Sequence, residues 1–243
     1  MSQWFKEFSD NFYIVFIEDD RWRRYLLTGL GRTLLVTLGA LLIGNVLGML
    51  VAIVRSTHDK QIKEMRPGAA RYLLRFLNRL CRFYLTVIRG TPVVVQLLIA
   101  YFVIFLSSNN KMVVAIITFG VNSGAYVAEI FRAGIMSIDN GQFEAGRSLG
   151  FNYAQTMRYV ISPQAFKNIL PSLANEFIVL LKETSVAGYI GLEDLAKGGD
   201  IIRGRTFQGF LPLITVALIY LLMVVFFTWL IGKLERRLRS SEH

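Results

Sequence analysis

The chain has 243 residues, of which 53% are apolar and 18% charged, with 27 Lys and Arg against 17 Asp and Glu. Soluble domains carry nearer a quarter charged residues, and disordered or collagen-like chains lack the 18 Phe found here, so a membrane protein is the leading class. One Cys (Cys81) and two His (His58, His243) exclude a disulfide framework and a Cys/His metal cluster, and no metal site is expected.

The first 32 residues are expected to be an amphipathic segment in the membrane interface, anchored by Trp4, Phe5, Phe8, Phe12 and Trp22. Their apolar piece, 12–17, is too short for a cleaved leader. About 20 apolar residues cross a hydrocarbon core of about 30 Å. Two uninterrupted stretches meet that length: 33–54, bracketed by Arg32 and Arg55, and 209–231, followed by Lys233. Three more are interrupted. The stretch 83–106 contains Arg89, 112–131 has an apolar run that stops at Glu129 and is followed by Arg132, and 168–192 carries Glu176, Lys182 and Glu183. Ionisable groups at membrane depth face a bundle interior or a water-filled path, so these three are expected to line something. The chain therefore reads as all-α and polytopic, with five transmembrane helices inside a permease domain 33–237 and a tail at 238–243.

The connection 55–82 holds eight basic residues (Arg55, Lys60, Lys63, Arg66, Arg71, Arg75, Arg79, Arg82), whereas 107–111 holds only Lys111. By the positive-inside rule the first connection is cytoplasmic, the N-terminus external and the C-terminus cytoplasmic. Arg71, Arg75, Arg79 and Arg82 form a basic stripe opposite Leu73, Leu77 and Leu80, suited to membrane lipid headgroups. The net charge of +10 thus reports orientation, and nucleic acid is not an expected partner.

The cytoplasmic loop 132–167 is too long for a structureless connection. It contains Glu144-Ala145-Gly146-Arg147-Ser148-Leu149-Gly150, a short helix closed by glycine, then a second helical run over 153–160 expected to stop at Pro163. A helix–turn–helix projecting from a membrane domain is a docking element.

These residues resemble the cytoplasmic signature of the permease subunits of ABC importers, in which Glu-Ala-Ala is followed by Gly and then by Ile-x-Leu-Pro. Glu144, Ala145, Gly150, Val160 and Pro163 match, while Gly146 replaces the second Ala and Ser162 the Leu. Arg89-Gly90-Thr91-Pro92, the stretch from Ala125 through Glu129 to Gly134, Arg158 to Ala165 and Leu181 to Ser185 resemble the polar-amino-acid branch, of the histidine, glutamine or arginine type. The resemblance implies a prokaryotic cell (inner) membrane subunit whose loop is a coupling helix on an ATP-binding cassette ATPase dimer. It also implies a second permease subunit, identical or related, and an extracytoplasmic amino-acid-binding protein. ATP and magnesium would sit on the partner ATPase, with no cofactor bound by this chain. The coupling residues would be Glu144, Ala145, Gly146, Arg147, Gly150 and Pro163. Glu144 offers a charge to a basic ATPase residue or to the first-turn amides of its own helix, and Ala145 and Gly146 allow close approach of a partner backbone. Gly232-Lys233 lacks the surroundings of a phosphate loop, so the chain is not itself an enzyme.

An amino acid crossing as a zwitterion needs an acceptor for its ammonium and donors for its carboxylate. Arg89, Gln96, Asn122, Tyr126, Glu129, Asn175 and Glu176 are the candidate contacts, Asn122, Tyr126 and Glu129 sharing one helical face. Glu129 and Arg132 stand at i, i+3 and are alternatively a structural pair. Gly188, Gly191, Gly198 and Gly199 are expected to loosen an external connection where the binding protein docks. Gly39, Gly44 and Gly48 are expected to admit a second permease against the first span. A competing function is an ion-coupled secondary transporter or channel using Glu129 and Glu176 as a relay.

Overall fold

A computed structural model describes residue 6 and residues 9–240; of the interfacial anchors, Trp4, Phe5 and Phe8 lie outside these. The described chain is helical, with no strand. Short π and 3-10 turns over Tyr13–Ile17, Glu18–Asp20 and Trp22–Leu27 lead into α1 (Thr28–Gln61). Then come α2 (Ala69–Gly90), α3 (Val93–Ile99, extended by a π turn to Ile104), α4 (Lys111–Met136), α5 (Asn140–Ser148), α6 (Tyr153–Thr156) and α7 (Ser162–Glu183). After a 3-10 stretch at Thr184–Ile190 follow α8 (Leu195–Thr206) and α9 (Phe210–Ser240).

Three helical stretches are long and apolar enough to cross a membrane: Trp22–Gln61, Lys111–Met136 and Phe210–Lys233. They contain the expected spans 33–54 and 112–131 and all but the first residue of 209–231. The expected span 83–106 is not one straight helix, because α2 and α3 qualify only together and are broken between them. The reason is Pro92, which lacks an amide proton and holds Thr91 in an extended conformation (φ −123°, ψ 144°). The fifth expected span falls on α7 and the turn after it. α7 begins at Ser162, and Lys167, Pro171, Asn175, Glu176, Lys182 and Glu183 make it more polar than the other three.

The chain divides into two compact units that share its long helices: Met1–Ala40, Val93–Phe119 and Ile178–Leu230 in the first, Leu41–Pro92, Gly120–Phe177 and Ile231–His243 in the second. The core of the first unit is built by Val15, Phe16, Tyr25, Leu26, Leu195, Ile202 and Val216. The N-terminal segment is therefore only partly the interfacial element expected. Phe12 and Trp22 are exposed, but Val15, Phe16, Tyr25 and Leu26 turn inward onto α8 and α9.

The glycines of the α8 region do not loosen it. A Cβ on Gly198 would run into the Tyr25 carbonyl oxygen, and one on Gly199 would run into Val216 Cγ2, so both are close-packing positions. Asp194 caps α8 by accepting from the Lys197 amide (2.9 Å), and the Leu195 amide donates to Thr33 Oγ1 (3.1 Å), which ties α8 to the start of α1. Gly191 does make a turn, with φ +71°.

The expected role of Gly39, Gly44 and Gly48 also needs correction, because their open faces are filled from within the chain. In the first unit Gly39 packs on Ile116 of α4; in the second, Gly44 packs on Ser123 and Gly48 on Val127 of the same helix. Small residues here let α1 and α4 approach each other, which drives helix association in lipid as effectively inside a chain as between chains.

Candidate functional site

The short helix expected to dock a partner and the charged cleft both belong to the second unit. α5 is capped by Asp139, whose side chain accepts from the Gly141 amide (2.6 Å). Asp139, and not Glu144, therefore meets the first-turn amides, and Glu144 points outward at the middle of the helix. Gly150 ends the element with φ +78°, the left-handed conformation glycine adopts at low cost, while the Phe151 amide reaches back to the Gly146 carbonyl (3.1 Å). Asn152 and Gln155 then cap each other's amides reciprocally (3.0 and 2.9 Å) and start α6.

The helical run does not stop at Pro163. A π turn over Met157–Ile161 feeds directly into α7, in whose first turn the proline sits. First-turn residues need no amide bond, and the widened turn before it leaves room for the ring. Pro163 thus steers the junction between α6 and α7.

Of the six expected coupling residues, Glu144, Ala145, Arg147, Gly150 and Pro163 are exposed, as is the neighbouring Leu149 at 72%. Gly146 is buried instead, because its missing side chain makes room for Thr156: a Cβ there would lie 2.6 Å from the Thr156 methyl. Its smallness serves the α5–α6 hairpin. Phe143 on the same buried side joins Ile135, Ile138, Ile161, Ala165 and Ile169 in a local core. Beside α5 lies a polar cleft of about 400 Å3 whose lining includes Lys60, Glu64, Asn140, Glu144, Arg147 and Asn152. Lys60 donates to Asn140 Oδ1 (2.7 Å) and stands 4.3 Å from the Phe143 ring centre, while Arg147 pairs with Glu64 (3.2 Å).

Among the membrane candidates the structure joins three. Arg89 lies 3.9 Å from Glu129 and its guanidinium 5.5 Å from the Tyr126 ring centre. Glu129 accepts a shorter bond from Arg55 (2.6 Å), and Arg55, Arg82, Thr86, Arg89 and Glu129 line one open cleft. The alternative pairing of Glu129 with Arg132 is not formed, since Arg132 instead donates two bonds to Asp59 (2.9 and 2.7 Å). Burial raises the affinity of Asp59 for its proton, but the bonds from Arg132 and His58 and the nearby Arg55 charge outweigh it, so its carboxyl titrates below the usual range.

Glu176 is buried and accepts from Ser123 Oγ (2.8 Å), Asn122 is buried, and Asn175 on the adjoining position is exposed. Gln96, half-buried on α3, belongs to the other unit. Sequence reading missed Arg55, Asp59 and Ser123. Only Asp59 left a signal, as one of two acids in a connection otherwise rich in Lys and Arg.

Residues 68–240 match the model of the family described as binding-protein-dependent transport system inner membrane component. The chain belongs to that family. It is a membrane component of a binding-protein-dependent transport system, the permease part, a class without an ATP site of its own. It is 36% identical over 221 residues to the arginine transport system permease protein ArtQ of Bacillus subtilis (strain 168), covering 90% of this chain and 94% of that one. It is 37% identical over 166 residues to the glutamine transport system permease protein GlnP of Escherichia coli (strain K12), covering 67% and 76%. Among solved structures, the crystal structure of an amino acid ABC transporter with histidines is similar at a TM-score of 0.77 and 40% identity, over 91% of this chain and 98% of that one. The MetNI methionine ABC transporter in an inward-facing form shares the fold at a TM-score of 0.73 and 20% identity, over 88% and 96%. These relatives leave the ion-coupled relay without support, and locally Glu129 is held by Arg55 and Glu176 by Ser123.

Proposed function

We propose that the chain is the transmembrane subunit of an ATP-driven importer of a polar amino acid in a prokaryotic cell membrane. It crosses the membrane five times, with the N-terminus outside and the C-terminus inside; α2 with α3 forms one broken crossing and α7 another. An ATPase dimer carrying ATP and magnesium docks on α5, a second permease subunit completes the pathway, and an extracytoplasmic binding protein delivers the substrate.

The observation that carries this reading is the surface of α5. Glu144, Ala145, Arg147 and Leu149 point outward from a short helix fixed at both ends, on a chain whose relatives are permeases of arginine and glutamine systems. Glu144 is the charge offered to a basic residue of the ATPase. Movement of α5 on ATP binding would turn the spans from inward-facing to outward-facing. Arg89 with Tyr126 and Glu129 is the best candidate for holding the charged ends of the substrate, because donor, aromatic face and acceptor are already adjacent. Gln96, Asn122, Asn175 and Glu176 are the remaining candidates.

The test is ATP hydrolysis by the full complex in proteoliposomes. Hydrolysis should rise when the loaded binding protein is added, and Glu144→Arg should abolish that rise while leaving the permease folded. Stimulation unchanged in Glu144→Arg would refute the docking assignment. An Arg89→Ala complex should retain stimulation but need at least about tenfold more substrate for half-maximal uptake.

A further inference from the structure

The apolar run of α1 ends at Arg55, yet the helix continues to Gln61, and a turn over residues 62–64 follows. Nothing in membrane crossing requires that extension. Four side chains of residues 55–64 make contacts in order along its length and the turn after it. Arg55 bonds Glu129 and Asp59 bonds Arg132, both on the last turns of α4. Lys60 bonds Asn140 and covers the Phe143 ring, and Glu64 bonds Arg147, all three on α5.

The covalent link between those two helices is only Ser137, Ile138 and Asp139. These three residues are not helical, and Ile138 among them packs with Ile135 of α4 and Phe143 of α5. Residues 55–64 span that link from the side.

We infer that residues 55–64 form a strut that transmits movement of α5 into α4, with Asp59 as its principal positioning residue. This rests on the reading that α5 receives the ATPase. The contacts are graded in strength. Asp59 holds Arg132 through two donors at side-chain exposures of 20% and 30%, with His58 at 3.5 Å and the Arg55 charge beside it, whereas Glu64 and Arg147 are 60% and 62% exposed. Well-shielded two-donor pairs hold position, and exposed single ones contribute little. The strut is thus anchored most firmly on α4. On α5 it is held by Lys60, which combines a hydrogen bond with a cation–aromatic contact.

The experiment uses the complete complex with its binding protein in proteoliposomes. Asp59→Asn removes the charge but keeps the side-chain volume. The inference expects unstimulated hydrolysis to persist while substrate imported per ATP falls about tenfold, the size of a typical coupling between sites. Exchanging the partners, Asp59→Arg with Arg132→Asp, should restore most of the loss. Import per ATP unchanged in Asp59→Asn overturns the strut.

A second variant guards against a folding defect. Lys60→Cys with Asn140→Cys, in a Cys81→Ser background, is bridged by a short bifunctional maleimide. If the strut moves with α5, the bridged complex transports normally; if bridging stops transport, the two part during the cycle and the inference fails. A native complex that never responds to its binding protein would instead overturn the importer reading.

Discussion

The two units of this chain are held together by different physics. In the first, distant segments meet through close backbone fits, Gly29 against the Asp194 carbonyl, Gly198 against Tyr25, Gly199 against Val216 and Gly39 against Ile116, and through one long-range ion pair, Arg32 with Glu193 (2.8 Å). Its densest charge cluster is local, Lys197 and Arg203 around Asp200 at i, i+3. In the second unit, ion pairs join helices far apart in sequence: Arg55 with Glu129, Asp59 with Arg132, Glu64 with Arg147. Close-packed backbones admit few alternative arrangements, whereas polar ties tolerate small displacements and can be rearranged. The unit that carries α5 has more of its long-range ties in ion pairs.

Four measurements break or sharpen that contrast. The largest effect is expected in the first unit, where Gly198→Ala places a Cβ against the backbone of Tyr25 and should cost about 3 kcal/mol in thermal unfolding of the purified protein. A melting temperature equal to the parent would show that shape does not govern this unit. In the second unit, Glu129→Gln leaves Arg55 with a weaker acceptor and should cost about 2 kcal/mol. That cost should shrink as Arg55→Gln is added, because the double variant removes the Arg55 charge together with that of its nearest acceptor.

The third measurement sets two carboxylates against each other. Burial at the start of α8 pushes the Asp194 carboxyl up to about 6, so the folded state binds its proton more tightly than the unfolded chain does. Stability should therefore rise by about 1 kcal/mol as pH falls from about 7 to about 5, and Asp194→Asn should remove that part of the slope. Asp59 has the opposite sign. Its proton affinity is depressed on folding, so its contribution is complete above the ordinary carboxylate range and is lost only in stronger acid. Unfolding curves of Asp194→Asn and Asp59→Asn across that pH range should diverge, and parallel slopes would contradict the assignment. The smallest effect belongs to Arg203→Ala, below about 0.5 kcal/mol, since its partner is exposed and lies one turn away on the same helix.

How far the sequence could be read followed from the range of each interaction. The three stretches apolar enough to span were visible because hydropathy is a local sum, and Gly150 closing α5 was visible because a left-handed helix end has its own residue. Glycine packing was misread. Gly39, Gly44 and Gly48 show that something approaches closely, but a small side chain carries no address, and the neighbour proved to be α4. Arg132 was paired in expectation with the acid three residues before it, since i, i+3 geometry is all that one helix offers; its actual partner, Asp59, is brought to it by tertiary structure. Pro163 read as a stop because a π turn leaves no compositional mark that would have excused it.

The fit of Gly146 against Thr156 bears on how such a system can be re-engineered. The α5–α6 hairpin separates its duties by face: Phe143, Gly146 and Thr156 close it internally, while Glu144, Ala145, Arg147 and Leu149 remain outside that closure. On the proposed docking of an ATPase at α5, recognition can therefore be rewritten without redesigning the scaffold. A set of exchanges confined to the outer residues would generate permease variants matched to different ATPases, so that two importers of common ancestry operate in one membrane without trading motors.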